Sequence, residues 1–438
     1  MQSGFNISKV IYNTLPLIFK KFISLYKDPL YRNSYYLMIN SFSSAFTGFI
    51  FWIVIARLYD AQSVGLAIVI VSASTTIVNI SGLGIGTSII RFISNENDKV
   101  SLINTGLTIV GVASIIFSII FFSGLSIWAE KLEFILNSPL YILFFILFTA
   151  MAVLSSTFLN IYIAERDTKY FFLQNSISDI SRLIFPFILF NLFGVFGIFG
   201  SIGIANTLAF IVSILYFSQK VIPSYQLYPQ IQMRLIRKIR NFSMGNYLVN
   251  LLSNAPSLLI PFLVLHFLEA EYNAYFYMAF AIANLLFAIP FSLSTSLFAE
   301  GSLNKNAFIQ NLWKALKQAY LFISITIIMV IILGDELLLL FGPAYSENSY
   351  SLLIIFAISS IFLTLNSFYA TYLKVTLRIS ELILLNIFLS ISILALSYYL
   401  VQIPVLNING IGLAYLFGQG IITSYIIIKF FKYKLNSP

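Results

Sequence analysis

The chain has 438 residues, 59% of them hydrophobic, only 9% charged, with a formal net charge of +9. Soluble domains carry about 25% charged residues, so this composition excludes an ordinary soluble fold and fits a polytopic helical membrane protein. Cysteine is absent, which excludes a disulfide frame, a thiol nucleophile and a Cys-based metal site.

The first segment, 1–33, mixes Lys9, Lys20, Lys21 and Lys27 with Ile11, Leu15, Ile18, Phe22 and Leu25. It has no small-residue cleavage site, so it reads as a cytoplasmic or interfacial segment and not as a signal peptide. Pro16 interrupts its helical rhythm, and a disordered tail remains the alternative. Apolar runs then recur at 34–56, 65–90, 102–125, 139–163, 171–193 and 196–218. A second set lies at 244–266, 273–298, 316–340, 349–372, 380–401 and 410–430. Each is long enough to cross a hydrocarbon core about 30 Å thick. With the N-terminus inside, 22 of the 25 Lys and Arg fall on the cytoplasmic side. Only Arg57 and Lys131 fall outside, and only Arg182 lies within the membrane. Losing one span would scramble this alternation, so the positive-inside rule supports twelve spans with both termini cytoplasmic. The net charge then needs no nucleic acid to explain it.

The runs divide into an N-lobe at 34–218, a basic cytoplasmic linker at 219–243, a C-lobe at 244–431 and a tail at 432–438. The linker contains "MRLIRKIRNF", which predicts a surface-lying helix near anionic headgroups. A shift of 209–210 residues superimposes landmarks of the two lobes. "RLYDAQSVG" (57–65) falls on "HFLEAEYNA" (266–274), and "STFLNIYIA" (156–164) on "NSFYATYLK" (366–374). "GIFGSIGIA" (197–205) falls on "NINGIGLAY" (407–415), with Gly200 over Gly410. Six spans per lobe make these parallel repeats, related by an axis along the membrane normal, with a substrate cleft expected between them. The expected fold is therefore all-α and integral to the membrane, with 12 transmembrane helices in two pseudo-symmetric six-helix lobes.

The first spans of the lobes are the expected cleft liners. Span 1 carries Asn40, Ser44 and Thr47 on one helical face, and span 7 carries Asn246, Asn250, Asn254 and Ser257. Interhelical hydrogen bonding is the plainer reading of such residues; two matching stripes also fit a hydrophilic cleft. Pro256 and Pro261 free the carbonyls of Leu252 and Ser257. Span 5 holds Asp179 and Arg182, about 12 and 16 Å deep at a 1.5 Å rise per residue. A charge at such depth costs about 2.5–3.5 kcal/mol on insertion scales, so the pair should face protein or water. One reading is a closed pair that joins two helices; the other is a cavity-facing cation for an anionic substrate, moderated by Asp179. A proton relay at Asp179 stays open.

Arg57 and Arg91 end spans 1 and 2, as interface anchors or as cations at a cleft mouth. "ERD" (165–167) and "GDE" (334–336) read as short polar turns on opposite sides of the membrane. His266 is a boundary residue. The loops are too short for a catalytic domain, which argues against a membrane polymerase or ligase.

"IVIARLYDAQSVGLAIVI" (53–70) followed by "GLGIGTSIIRFIS" (82–94) resembles the opening of the Wzx-type polysaccharide flippases. These belong to the superfamily of the multidrug-extrusion (MATE) transporters. "EAEYNAYFYMAFAIANLLFAIPFSL" (269–293) and the span starts at 197 and 407 fit the same family. The resemblance implies a V-shaped two-lobed bundle that is not an enzyme. It implies a flippase moving an undecaprenyl-pyrophosphate-linked oligosaccharide repeat unit from the cytoplasmic to the outer leaflet of a bacterial inner membrane, for O-antigen, capsule or exopolysaccharide. It implies no cofactor, leaves proton or sodium coupling open, and leaves open association with a polysaccharide polymerase and chain-length regulator. The family's cation-lined cavity carries over to Arg182, and more weakly to Arg57 and Arg91. With them, Asp179, Asn40, Ser44, Asn250 and Asn254 complete the expected cleft set. An ion-coupled exporter of drugs or metabolites is the alternative; such exporters usually place acids in the cleft spans, and spans 1 and 7 have none.

Overall fold

The computed structural model describes residues 29–223, 225–303 and 307–435. The N-terminal segment expected to lie on the membrane surface falls outside them up to residue 28. Twelve long helices follow one another. The first six are α1 (Pro29–Leu58), α2 (Ala61–Ser81), α3 (Lys99–Ser123), α4 (Pro139–Ala164), α5 (Thr168–Phe193) and α6 (Val195–Val212). The second six are α7 (Met233–Phe267), α8 (Ala270–Leu303), α9 (Phe308–Leu339), α10 (Pro343–Val375), α11 (Ile379–Leu400) and α12 (Asn409–Leu435). The described residues contain no strand.

Local chemistry sets the helix starts. Asp60 caps α2 and Asp98 caps α3, each accepting a backbone N–H three residues on, at 2.9 Å. Pro139 and Pro343 open α4 and α10, where a missing N–H costs nothing. Ten helices among the described residues are long and apolar enough to cross a membrane. Of the other two, α7 contributes a shorter apolar helix among the described side chains, Leu251–Phe267, and α5 carries Asp179, Arg182 and its amides. The twelve expected spans are thus all helical. Span 2 is not continuous: Leu83 and Gly84 take positive φ, and a short helix, Ile85–Phe92, completes the crossing.

The linker departs from expectation. Its basic part does not form a separate surface helix; it is the first turns of α7, which runs unbroken from Met233. The extended stretch before it is docked on α3. Tyr225 donates to Asn104 at 2.8 Å, Asn104 donates to the Gln226 carbonyl, and the Gln230 N–H donates to Thr108. Leu235 is buried in the N-half core, and Arg234 pairs with Glu96 at 2.8 Å. These polar positions on span 3 hold the extended stretch against protein.

The duplication is visible in the backbone. The α4–α5 turn places Arg166 at φ 57°, with Asp167 N–H donating to Tyr162 O; the α10–α11 turn places Leu377 at φ 58°, with Arg378 N–H donating to Leu373 O. Both correspondences have an offset of 211. The last connection shifts further. Gly194 and Asn407 share a positive φ, and the Cα atoms of Gly197 and Gly410 press against the carbonyls of Leu189 and Leu400. Gly410 therefore corresponds to Gly197 and not to Gly200; the expected register was three residues out at this point. The "GDE" residues form no turn: they lie in the last turns of α9, where Asp335 accepts from the Ser346 hydroxyl. "ERD" is a turn, and Glu165 pairs with Lys99 at 2.8 Å.

Candidate functional site

The halves meet along α1 and α2 of the first and α7 and α8 of the second. One apolar core crosses this junction, joining Phe51, Ile55 and Ile68 to Ile260, Phe276 and Phe341. Gly65 lies so close to α8 that a Cβ would stand 1.7 Å from the Ala270 carbonyl oxygen. Arg57 donates from Nε and Nη2 to the carbonyls of Leu340 and Leu339 at the end of α9 (2.9 and 2.5 Å), and Lys131 donates to Leu268 O at 2.7 Å. These contacts lie at the outer ends of the helices, so the junction is closed on the outside. Towards the cytoplasmic end, Phe42 and Phe46 of α1 are exposed, as are Ser253, Asn254 and Ser257 of α7. The two halves part inward.

At the inner margin of this seal sits the span 5 ion pair. Arg182 Nη2 lies 2.7 Å from Asp179 Oδ1, one turn away on α5. The same Nη2 donates to Ser44 O at 3.2 Å and to Thr47 Oγ1 at 3.1 Å, and Ser44 Oγ donates to Asp179 Oδ2 at 2.6 Å. The i, i+4, i+7 stripe on α1 thus supplies the partners of the pair. Gly48, next along α1, leaves room for the guanidinium: its Cβ would stand 3.5 Å from Nη2. Asp179 is buried, while the Arg182 side chain keeps 22% of its exposure. Its Nε is buried without a hydrogen-bond partner, so the donors of this guanidinium are not all used. Tyr277 of α8 meets Trp52 of α1 with ring centroids 4.7 Å apart and planes tilted by 55°. Leu183, beside Arg182, packs against the core that crosses the junction, so the ion pair borders the meeting of the two halves. Sequence reading missed Tyr277 and Trp52, because nothing along the chain marks a contact between halves.

The other expected residues are placed as follows. Asn40 is buried one turn before Ser44, with Oδ1 unpartnered. Asn254 is exposed on the inward-parting face of α7, and the side chain of Asn250 lies outside the described ones. Arg57 belongs to the outer seal and not to the ion-pair cluster. Arg91 is exposed at the cytoplasmic end of span 2, its guanidinium 5.8 Å from the centre of the Phe92 ring. The freed Leu252 carbonyl below Pro256 accepts from Ser390 Oγ of α11 at 2.6 Å. Inside the N-half, α2, α4, α5 and α6 enclose a cavity of about 260 Å³ lined by Ser74, Thr75, Ser155, Asn175 and Asn206.

The duplication puts one contact of each half in correspondence. Ser44 and Asp179 link α1 to α5; in the C-half, Leu252 and Ser390 link α7 to α11. At the offset of 211, Asp179 falls on Ser390 and Arg182 on Ile393, which is buried in the core. The C-half makes its helix–helix link with a neutral hydroxyl. Only the N-half uses charge.

Bundle, junction and pair together define a two-lobed, multi-pass helical membrane protein. A solved structure of the lipid II flippase MurJ in an inward closed conformation matches with a TM-score of 0.72, at 16% identity over 90% of this chain and 86% of that one. An inward-facing multidrug resistance MATE family transporter of the MOP superfamily matches at 0.65, with 13% identity over 90% and 96%. An outward-facing MATE family transporter matches at 0.55, with 16% identity over 91% and 94%. No curated protein matches the chain. Residues 30–298 match the family of polysaccharide biosynthesis proteins. The chain belongs to that family.

Proposed function

We propose that this protein is a flippase that carries a lipid-linked oligosaccharide repeat unit from the cytoplasmic to the outer leaflet, with Arg182 receiving the diphosphate of the lipid carrier. The family and the flippase fold support movement of a saccharide precursor; the proposal extends this to an undecaprenyl carrier and to O-antigen, capsule or exopolysaccharide in a bacterial inner membrane. One observation carries the site. A buried ion pair persists at the junction of the halves although its counterpart makes the same helix link with serine. Charge at midplane costs about 2.5–3.5 kcal/mol, and a neutral solution exists in the same fold. The expense is explained by an anionic group that must be drawn out of the headgroup layer and met at depth.

In this reading the headgroup enters the inward-parting cleft along the exposed face of α7, past Asn250 and Asn254, while its hydrocarbon tail stays in the bilayer. Asp179 and Ser44 hold the guanidinium in place until the diphosphate competes for it, with Asn40 at the same helix face. Arg57 closes the outer end and must release before the load can leave. Arg91 stands at the cytoplasmic mouth. No covalent step is needed.

The test is removal of the gene from a producer of surface polysaccharide, followed by location of the lipid-linked repeat unit. Retention on the cytoplasmic leaflet, corrected by the wild-type chain and not by Arg182→Ala at equal membrane abundance, is the expected result. Normal polymer with altered drug tolerance would instead identify an exporter.

A further inference from the structure

The C-half carries a second feature with no part in the reading above. Near the cytoplasmic end, α9 and α12 flank α10 and leave a cavity of about 720 Å³, within the range of about 300–1,000 Å³ typical of ligand sites. These are not the helices that join the two halves, α7 and α8. The walls are apolar, with Leu312 and Leu316 from α9, Leu365 and Phe368 from α10, and Ile426 from α12. Ile309, Trp313 and Ile427 edge it and are 51%, 48% and 44% exposed, so the cavity opens sideways at the level where the bilayer surrounds the bundle.

Its cytoplasmic rim is polar in a defined way. Glu381 accepts from the Tyr369 hydroxyl at 2.7 Å, pairs with Lys429, and lies 3.8 Å from Arg378 Nε. Among the described residues, two cations, Lys429 and Arg378, meet at this one carboxylate. An occupant must therefore have a hydrocarbon chain for the walls and an anion at one end for the rim.

We propose that this groove holds one acyl chain of an anionic phospholipid from the cytoplasmic leaflet, with the phosphate on Lys429 and Arg378. A zwitterionic lipid would fill the walls equally but gain little at the rim, whereas each basic residue near an anionic headgroup contributes about 1 kcal/mol. The substrate's own carrier chain is the less fitting occupant, because its headgroup is expected at Arg182 in the other half. That exclusion of the carrier chain rests on the proposed function; the groove and its rim do not.

Trp313 reports on the groove. Trp128→Phe removes the other exposed indole, and the buried Trp52 contributes an unquenched baseline. The full-length chain is reconstituted in phosphatidylcholine vesicles holding a small fraction of phosphatidylglycerol or phosphatidylcholine brominated near the headgroup end of one chain. The anionic lipid should reach half-maximal quenching at an about fivefold lower mole fraction. Lys429→Gln, which keeps a donor for Glu381, should abolish that preference, as should Arg378→Gln. Equal quenching by both lipids would mean ordinary annular contact and overturn the proposal. So would a brominated polyprenyl phosphate that saturates at lower mole fraction than phosphatidylglycerol. The wild-type rim comparison needs neither rim variant, so poor folding of either leaves the outcome decided.

Discussion

Replacing Asp179 and Arg182 by the residues at their counterparts, Asp179→Ser with Arg182→Ile, separates helix-joining from headgroup binding. Removing one partner of a buried pair costs about 3–5 kcal/mol, because the other charge is left uncompensated. Arg182→Ala leaves Asp179 buried with only the Ser44 hydroxyl, and Asp179→Ala leaves Arg182 with Ser44 O and Thr47. Replacing both by neutral residues of fitting shape is near neutral or stabilising by about 1–4 kcal/mol. The serine at 179 can still meet Ser44, as Ser390 meets Leu252, and Thr47 keeps its bond to Ser43 O at 2.9 Å. Each single variant should therefore lower Tm and membrane abundance, and the double variant should recover both. Export should nevertheless fail in the double variant. The assay pairs melting in detergent with polysaccharide export at matched abundance. Export at the wild-type rate by the double variant would refute the reasoning, since the pair would then be a structural link that happens to be charged.

Gly65→Leu should force the outer seal apart, because even a Cβ collides with Ala270 O; overpacking costs about 1–3 kcal/mol, an about 5- to 150-fold shift between states. Ala274→Cys, fully buried one turn further along α8 in a chain without cysteine, reads this as faster labelling by an impermeant maleimide from outside. Unchanged labelling would show that the seal does not separate there. Arg57→Gln should shift the same reporter in the same direction but less, since its two carbonyl bonds lie at an exposed site. The Asp98 carboxyl, beyond the membrane spans, is held below the usual range by the Ser101 hydroxyl and N–H. Its stabilising contribution is thus complete above the unfolded pKa of about 3.9 and fades as pH falls through the lower folded value. Wild-type Tm should drop more steeply on acidification below about pH 4 than that of Asp98→Ser, whose cap does not titrate.

Span count and orientation were readable because each crossing needs its own apolar run and each cytoplasmic loop its own basic residues. The α1 stripe was readable for a similar local reason: Ser44 and Thr47 share a helical face, and that face meets Arg182. Register between the repeats was readable only in part. Differences in turn length move the offset between the repeats from 209 to 213 residues along the chain, which a fixed offset cannot follow, so Gly410 pairs with Gly197 and not with Gly200. A basic amphipathic stretch looks the same in sequence whether it meets headgroups or opens a long helix with Leu235 buried and Arg234 paired to Glu96. Arg57 was read as an anchor or a mouth cation; its true partners, the carbonyls of Leu339 and Leu340, are backbone groups of another half and leave no mark on the sequence.

The position of Leu183 joins site to seal. Alternating access requires that the load interact differently with the two states, since a ligand with equal affinity for both shifts nothing. Arg182 belongs to the N-half, and Leu183 beside it packs against the core in which Tyr277 of the C-half meets Trp52. In the closed arrangement the pair thus borders the core shared by both halves. In the proposed function, a diphosphate that takes Arg182 away from Asp179 acts at the innermost layer of the seal. Below that layer the helices already part; above it stand apolar contacts, the Gly65–Ala270 approach, the carbonyl bonds of Arg57 and Lys131 and the Lys131–Glu269 ion pair. If Arg182 receives the headgroup as proposed, binding there acts on the contact nearest the opening cleft, where the least further surface must separate for the seal to begin to yield.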